Sequence, residues 1–195
     1  MTVAPGALPR NELPELTRLY RIHRAENGTW FFDTSPDGRF NPTATAGRGA
    51  CYWSTTPLGA FVESYRTPTT IAREDIDARR IATISLLAPL TVADLTQRSA
   101  LSAGVTAALT SGGDYQPAQT LADTLQGQTD GILYHASHDL AGQLTSVALF
   151  GPAGAPDEQT IASLGLPEPE VAELDPQLLA DAEEAFGYRI IPMPQ

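Results

Sequence analysis

The chain has no lysine: all 12 of its basic residues are arginines. That excludes Schiff-base catalysis by a lysine amine and any phosphate loop of the lysine-bearing kind. A phosphate bound here falls to arginine or to backbone N–H groups. Cysteine is nearly missing too. Cys51 alone allows no intrachain disulfide and no cysteine cluster for zinc or iron–sulfur, and its alternation with aromatics reads as a small core residue. The expected setting is cytoplasmic. No apolar run reaches membrane-spanning length, and the opening MTVAPGALPRNELPEL lacks the basic-then-apolar shape of a signal peptide, so no membrane association is expected. Bases are scarce beside acids, 12 against 23 for a formal charge of −11, which argues against direct nucleic-acid binding. The three histidines, His23, His135 and His138, lack HExxH spacing, and no nucleophile elbow accompanies them. Neither a metal site nor a serine-hydrolase triad is expected.

What is present fits one domain. A chain of 195 residues, 42% hydrophobic, can bury one full core. The charge is unevenly placed. Acids without a base run from Asp157 to Glu184, whereas arginines 10, 18, 21, 24, 39, 48 and 66 bring the first third close to neutral, so an anionic ligand is better received there. Residues 1–15 are proline-rich and predict an extended surface segment ahead of a domain spanning 16–195. Strands are predicted over 16–23, 50–55, 80–87, 90–95, 131–137 and 144–150, with a last one in GYRIIP. Helices are predicted over 100–110, 117–126 and 176–186, the last capped by Asp175 and stopped by Gly187. Strands and helices intermingle without regular alternation, which gives an α+β class with mixed or antiparallel sheets and flanking helices. Residues 96–116 read equally as a lid or as a linker.

The densest stretch is Gly38 to Tyr65, where an arginine loop, an aromatic strand and a capped helix follow one another directly. Thr55 or Thr56 can cap the helix and Pro57 fits its first position. Leu58, Phe61, Val62 and Tyr65 then form the buried stripe. Glu63 lies on the other side with Gly59 and Arg66, facing solvent or a cleft. On the preceding strand Tyr52 and Ser54 share one face, Cys51 and Trp53 the other.

With these pieces in order, the chain resembles the RES-domain family. The residues that carry the likeness are LYRI with Arg21, GRFN with Arg39 and Asn41, the strand with Tyr52, AFVES with Glu63, VADLT, QTLADTL, DGILYHAS with Ser137, and VALFG. The loop Asp37-Gly38-Arg39-Phe40-Asn41 departs from the family's usual pattern, having phenylalanine for tryptophan and one glycine for two. The resemblance implies a fold related to ADP-ribosyltransferases and a bacterial toxin that degrades NAD+ as its substrate, with no separate cofactor. Water or inorganic phosphate would be the acceptor. It further implies a hetero-oligomeric complex with an Xre-type antitoxin. The roles that follow are Glu63 as the stabiliser of a ribosyl cation, Arg21 and Arg39 on the pyrophosphate, and Tyr52 as an aromatic wall. Ser137 would be a hydrogen-bond donor to the ligand, and Asn41, grouped with the NAD-binding residues, would shape the loop. Two other functions are open: ADP-ribosyl transfer to a protein, served by the same arginines and glutamate, and a non-catalytic interaction module that docks a basic partner on the acidic segment from Asp157 to Glu184.

Overall fold

Alternating apolar residues place most strands in a single eight-stranded sheet in the computed structural model, which describes residues 3–66, 69–136 and 138–192. In chain order, β1 (Arg10–Leu13), β2 (Arg18–Arg24) and β3 (Arg48–Ser54) precede α1 (Pro57–Tyr65), and β4 (Thr70–Ala72), α2 (Arg73–Asp77), β5 (Arg79–Ser85) and β6 (Leu90–Asp94) follow. A 3₁₀ turn at Arg98–Ala103 leads through α3 (Ala107–Ser111) to α4 (Gln116–Leu125). Then come β7 (Gly131–His135), β8 (Thr145–Pro152), α5 (Glu158–Ser163), β9 (Glu170–Ala172), α6 (Pro176–Phe186) and β10 (Arg189–Ile191). The sheet order is β1-β6-β7-β8-β3-β2-β5-β9, antiparallel throughout except for the parallel pair β6 and β7. β4 and β10 form a separate parallel pair. The class is α+β.

Parity along the strands divides the core. Cys51 and Trp53 of β3, Leu19 of β2 and Ala82 and Ile84 of β5 point to one face, where they meet Trp30, Phe32 and Ile161. The opposite face carries two clusters. Ala50 and Tyr52 lie under α4 with Leu121 and Leu125, while Ile22 lies under α1 and α6 with Phe61, Val62 and Leu179. The clusters sit on either side of a break in the sheet. β3 is fully paired with β8 over Arg48–Ser54, and β2 with β5 over Arg18–Arg24, but β2 and β3 share a single registered pair, Tyr20 with Ser54.

Several expectations are altered. The extended N-terminal segment contributes an edge strand, β1, and buries Leu8 and Leu13. The helix expected over 100–110 is two short pieces, because Gly104 turns left-handed (φ 94°) after the 3₁₀ turn. The acidic stretch from Asp157 is no tail. Ile161 and Leu166 enter the core, β9 pairs with β5, and Leu174, Leu178 and Ala182 pack in the α1 cluster. No helix among the described residues is long and apolar enough to cross a membrane.

His23 on β2 is 8% exposed, with Nδ1 facing the carbonyls of Arg24 and Asn27 at 2.9 and 3.0 Å and Nε2 facing the Thr29 hydroxyl at 3.2 Å. The two carbonyls require Nδ1 to carry the proton, so in the neutral ring Nε2 accepts from Thr29. Burial foremost, with the charges of Arg21 and Arg80, holds its pKa below the usual 6.5. The folded protein therefore binds this proton less readily than the unfolded chain, so stability is complete above about pH 6.5 and falls as pH drops through that value. Thermal melts between pH 7.5 and 5 should show a falling midpoint, with a shallower slope in His23→Gln.

Candidate active site at the break between β2 and β3

Where β2 leaves β3, the Tyr52 carbonyl loses its ladder partner, and Arg21 takes it: Nη1 donates to that oxygen at 3.0 Å. Arg21 Nε is buried and has no hydrogen-bond acceptor among the described residues.

The arginine loop is built around Asp33. Its carboxylate accepts from the Ser35 N–H (2.9 Å), the Ser35 hydroxyl (2.8 Å) and the Asn41 amide (2.9 Å). Burial alone would raise the Asp33 pKa, but these bonds outweigh it and hold the group below the usual carboxylate range. Asn41 also donates to the Ser35 carbonyl at 2.8 Å, and its Oδ1 accepts from the Tyr52 hydroxyl at 2.8 Å. That hydroxyl in turn accepts from the Phe40 N–H at 2.9 Å. Gly38 is required for this closure, because a Cβ there would lie 2.3 Å from the Asn41 amide. Phe40 is fully buried, its ring 4.8 Å from that of Tyr134.

Asn41, expected to shape the loop and grouped with the NAD-binding residues, does the former. It is 0% exposed and both ends of its amide are engaged, so it fixes the loop and the Tyr52 hydroxyl instead of touching a ligand. Tyr52 keeps its ring as a wall of the cleft. Burial first, and the charges of Asp33 and Glu63 next, push its hydroxyl pKa up, so it stays protonated as a donor.

Helix α1 starts as its sequence dictates. Thr56 caps it by accepting from the Gly59 N–H at 3.0 Å, and Pro57 opens it. With Phe61, Val62 and Tyr65 buried, Glu63 faces the cleft, where the Tyr134 hydroxyl donates to its Oε2 at 3.1 Å. Tyr134 is 2% exposed, and burial together with the adjacent Glu63 charge raises its pKa well above the usual value. It is a donor at any physiological pH.

The helix ends on Arg66 with a positive φ (φ 50°, ψ −113°), a state that costs about 1–3 kcal/mol for a residue with a Cβ. The Arg66 N–H donates to the Val62 carbonyl at 2.8 Å, its carbonyl accepts from the Tyr188 hydroxyl at 3.0 Å, and its Nε donates to the Glu63 carbonyl at 3.3 Å.

Arg39 does something the sequence reading did not foresee. Its Nη1 donates to the Gly112 carbonyl at 2.7 Å and the Leu109 carbonyl at 3.4 Å, and its guanidinium lies 4.4 Å from the Tyr115 ring centroid. Residues 109–115 are thus strapped to the arginine loop, beside Glu63. Arg39→Ala should raise amide exchange across Leu109–Tyr115 about tenfold, the loss of one charged hydrogen bond in a locally opening segment. Arg39→Lys should not restore protection, because a point charge cannot both stack on Tyr115 and reach the carbonyls.

Three cavities meet here. One of about 380 Å³ is lined by Arg21, Tyr52, Glu63, Ser64, Arg66 and Arg79. A second of about 380 Å³ adjoins it through Arg21, Tyr52 and Arg66 and reaches Asp33 and Asp37. A small one of about 30 Å³ holds Arg39, Glu63, Arg66, Tyr115, Tyr134 and His138. The structure thus brings Arg21, Arg39, Tyr52 and Glu63 together. Ser137 lies outside the described residues. The sequence reading missed Tyr134 and Tyr115 as site residues and gave Arg66 no role. Tyr134 carries a faint signal, its alternation with Ile132 in β7, which both fall on the face beneath α4.

No curated protein matches the chain. A chain from the crystal structure of the M. tuberculosis MbcT–MbcA toxin–antitoxin complex is similar in fold, with a TM-score of 0.66 at 22% identity over 88% of this chain and 90% of that one. The family model of the RES domain matches residues 18–170, from the first residue of β2 to the first of β9, and so takes in both strands of the break, Glu63 and Tyr134. The chain belongs to the RES-domain family.

Proposed function

We propose that this protein is the toxin of a toxin–antitoxin pair and degrades NAD+ by cleaving the bond between nicotinamide and ribose. The observation that carries the reading is the Glu63 carboxylate, oriented by the Tyr134 hydroxyl at 3.1 Å, in an arginine-lined cleft of a protein that is acidic overall. Cleaving a glycosidic bond builds positive charge on the sugar, and a fixed carboxylate stabilises that charge without reorganising. Nicotinamide leaves as a neutral molecule once it takes the bonding electron pair, so the site needs no proton donor for the leaving group. Tyr134 keeps the carboxylate from rotating, and its raised pKa keeps it a neutral donor while the cation forms. The ring of Tyr52 walls the cleft. Arginine supplies planar, permanently charged forks for phosphate oxygens. Water or inorganic phosphate would trap the ribosyl cation, yielding ADP-ribose or its 1″-phosphate.

The fold shared with a chain of a toxin–antitoxin complex supports an antitoxin as partner, and the family resemblance points to the Xre type. The test is NAD+ loss by purified protein, with and without phosphate, following nicotinamide and the ribose-containing product by chromatography. Stoichiometric release of nicotinamide is expected. Its absence from folded, antitoxin-free protein overturns the reading, and transfer of label from NAD+ to a lysate protein would replace it with ADP-ribosylation.

A further inference from the structure

The arginines of the cleft are not equivalent. Arg39 is engaged by the carbonyls of Leu109 and Gly112, and Arg21 by that of Tyr52. Among the described residues, the arginines that pair with carboxylates are Arg73 and Arg80, on Asp77 and Glu173. Three guanidinium groups line one cavity, and none of them pairs with a carboxylate among the described residues. They are Arg21, Arg66 and Arg79. Arg79 rests on the face of Tyr65, 4.9 Å from the ring centroid, which leaves its edge for an anion. Among the described residues Arg66 commits only Nε, to a backbone carbonyl, which leaves both terminal nitrogens for a ligand. It also lines all three cavities, and it has a positive φ, which glycine would adopt without strain. Its carbonyl is held there by Tyr188. A strained residue fixed at both backbone ends, with its side chain at the junction of the cleft, is placed for that side chain.

We infer that Arg66, with Arg21 and Arg79, forms a phosphoryl-binding subsite beside Glu63. The inference rests on the NAD+ reading for the identity of the substrate, and on the arginine geometry for the anion. Two sources of that anion share the chemistry: the diphosphate of the dinucleotide, and free phosphate acting as acceptor. Kinetics separate them. If the diphosphate sits there, Arg66→Gln raises KM for NAD+ at least tenfold at nearly unchanged kcat and weakens ADP-ribose binding by the same factor in calorimetry. If acceptor phosphate sits there, KM for NAD+ stays put, whereas the concentration of phosphate needed for half-maximal rate rises at least tenfold.

Arg66→Gly is the control for folding. Glycine accepts the positive φ at this position, so this variant should melt no lower than wild type and still show the loss. Unchanged constants for NAD+, ADP-ribose and phosphate in both variants overturn the subsite and leave the NAD+ reading standing. If wild type does not turn over NAD+ but binds ADP-ribose or phosphate through Arg66, the subsite stands and the reading falls. Wild type that neither turns over NAD+ nor binds these ligands overturns both.

Discussion

Glu63→Gln should lower kcat for NAD+ consumption by about 10²–10³-fold, the range seen when a single oriented electrostatic group is removed from an active site. The amide is the same size and can still accept from the Tyr134 hydroxyl through its oxygen, so the packing of α1 on the sheet is preserved. What it lacks is net charge to set against the ribosyl cation. KM should change little, because ground-state NAD+ already carries its positive charge on the nicotinamide ring and gains its affinity elsewhere. Product chromatography gives the rate, and a thermal melt within a few degrees of wild type certifies the fold. Tyr134→Phe should be milder, since it removes one hydrogen bond to the carboxylate and leaves its charge in place. Equal turnover by wild type and Glu63→Gln would remove Glu63 from the mechanism.

The second large effect is on stability. Asn41→Ala should cost about 2–4 kcal/mol, because it removes one of the donors on the Asp33 carboxylate, leaves the Tyr52 hydroxyl proton and the Ser35 carbonyl without their partner, and opens a cavity under the loop. For a domain of this size that is a fall of about 5–10 °C in the melting midpoint. The measurement also decides between two roles. An asparagine that touched the ligand would change KM at constant stability, whereas one that frames the loop lowers the midpoint. Tyr52→Phe should lose less, since the ring stays. The double variant Asn41→Ala/Tyr52→Phe should be less destabilised than the sum of the two, because the hydroxyl stranded by the first change is absent in the second.

The contrast between Glu63 and Asn41 marks what the sequence could convey. Helix α1 was legible because cap, first-position proline and apolar stripe all agree over one short window. The same window set Glu63 apart from the stripe, but nothing in it could name Tyr134, which is 71 positions away and reaches the carboxylate only because β7 lies near β3 in the sheet. Asn41 was read as part of a binding loop. Its direction depended on Asp33, eight positions earlier, turning the amide inward. Arg39 shows the same limit: an arginine in a glycine loop looks like an anion holder, and only the path of residues 109–115 reveals the carbonyls it binds. The helix expected over 100–110 failed for a local reason, since alanine and leucine spacing outweighed one left-handed glycine. Strands of three residues, such as β4 and β9, are too short to show a period at all.

The Tyr188 hydroxyl that fixes the end of α1 comes from a segment synthesised long after the glutamate it helps to frame. Residues 176–191 also cover the apolar stripe of α1 and pair β10 with β4, directly beyond the same helix. A nascent chain with those residues still inside the ribosome therefore carries Glu63 and the cleft arginines but neither the cover over α1 nor the clamp on Arg66. Maturation of the site is in this way tied to the emergence of residues 176–191, and a chain truncated before Tyr188 would carry the chemistry's residues without their arrangement.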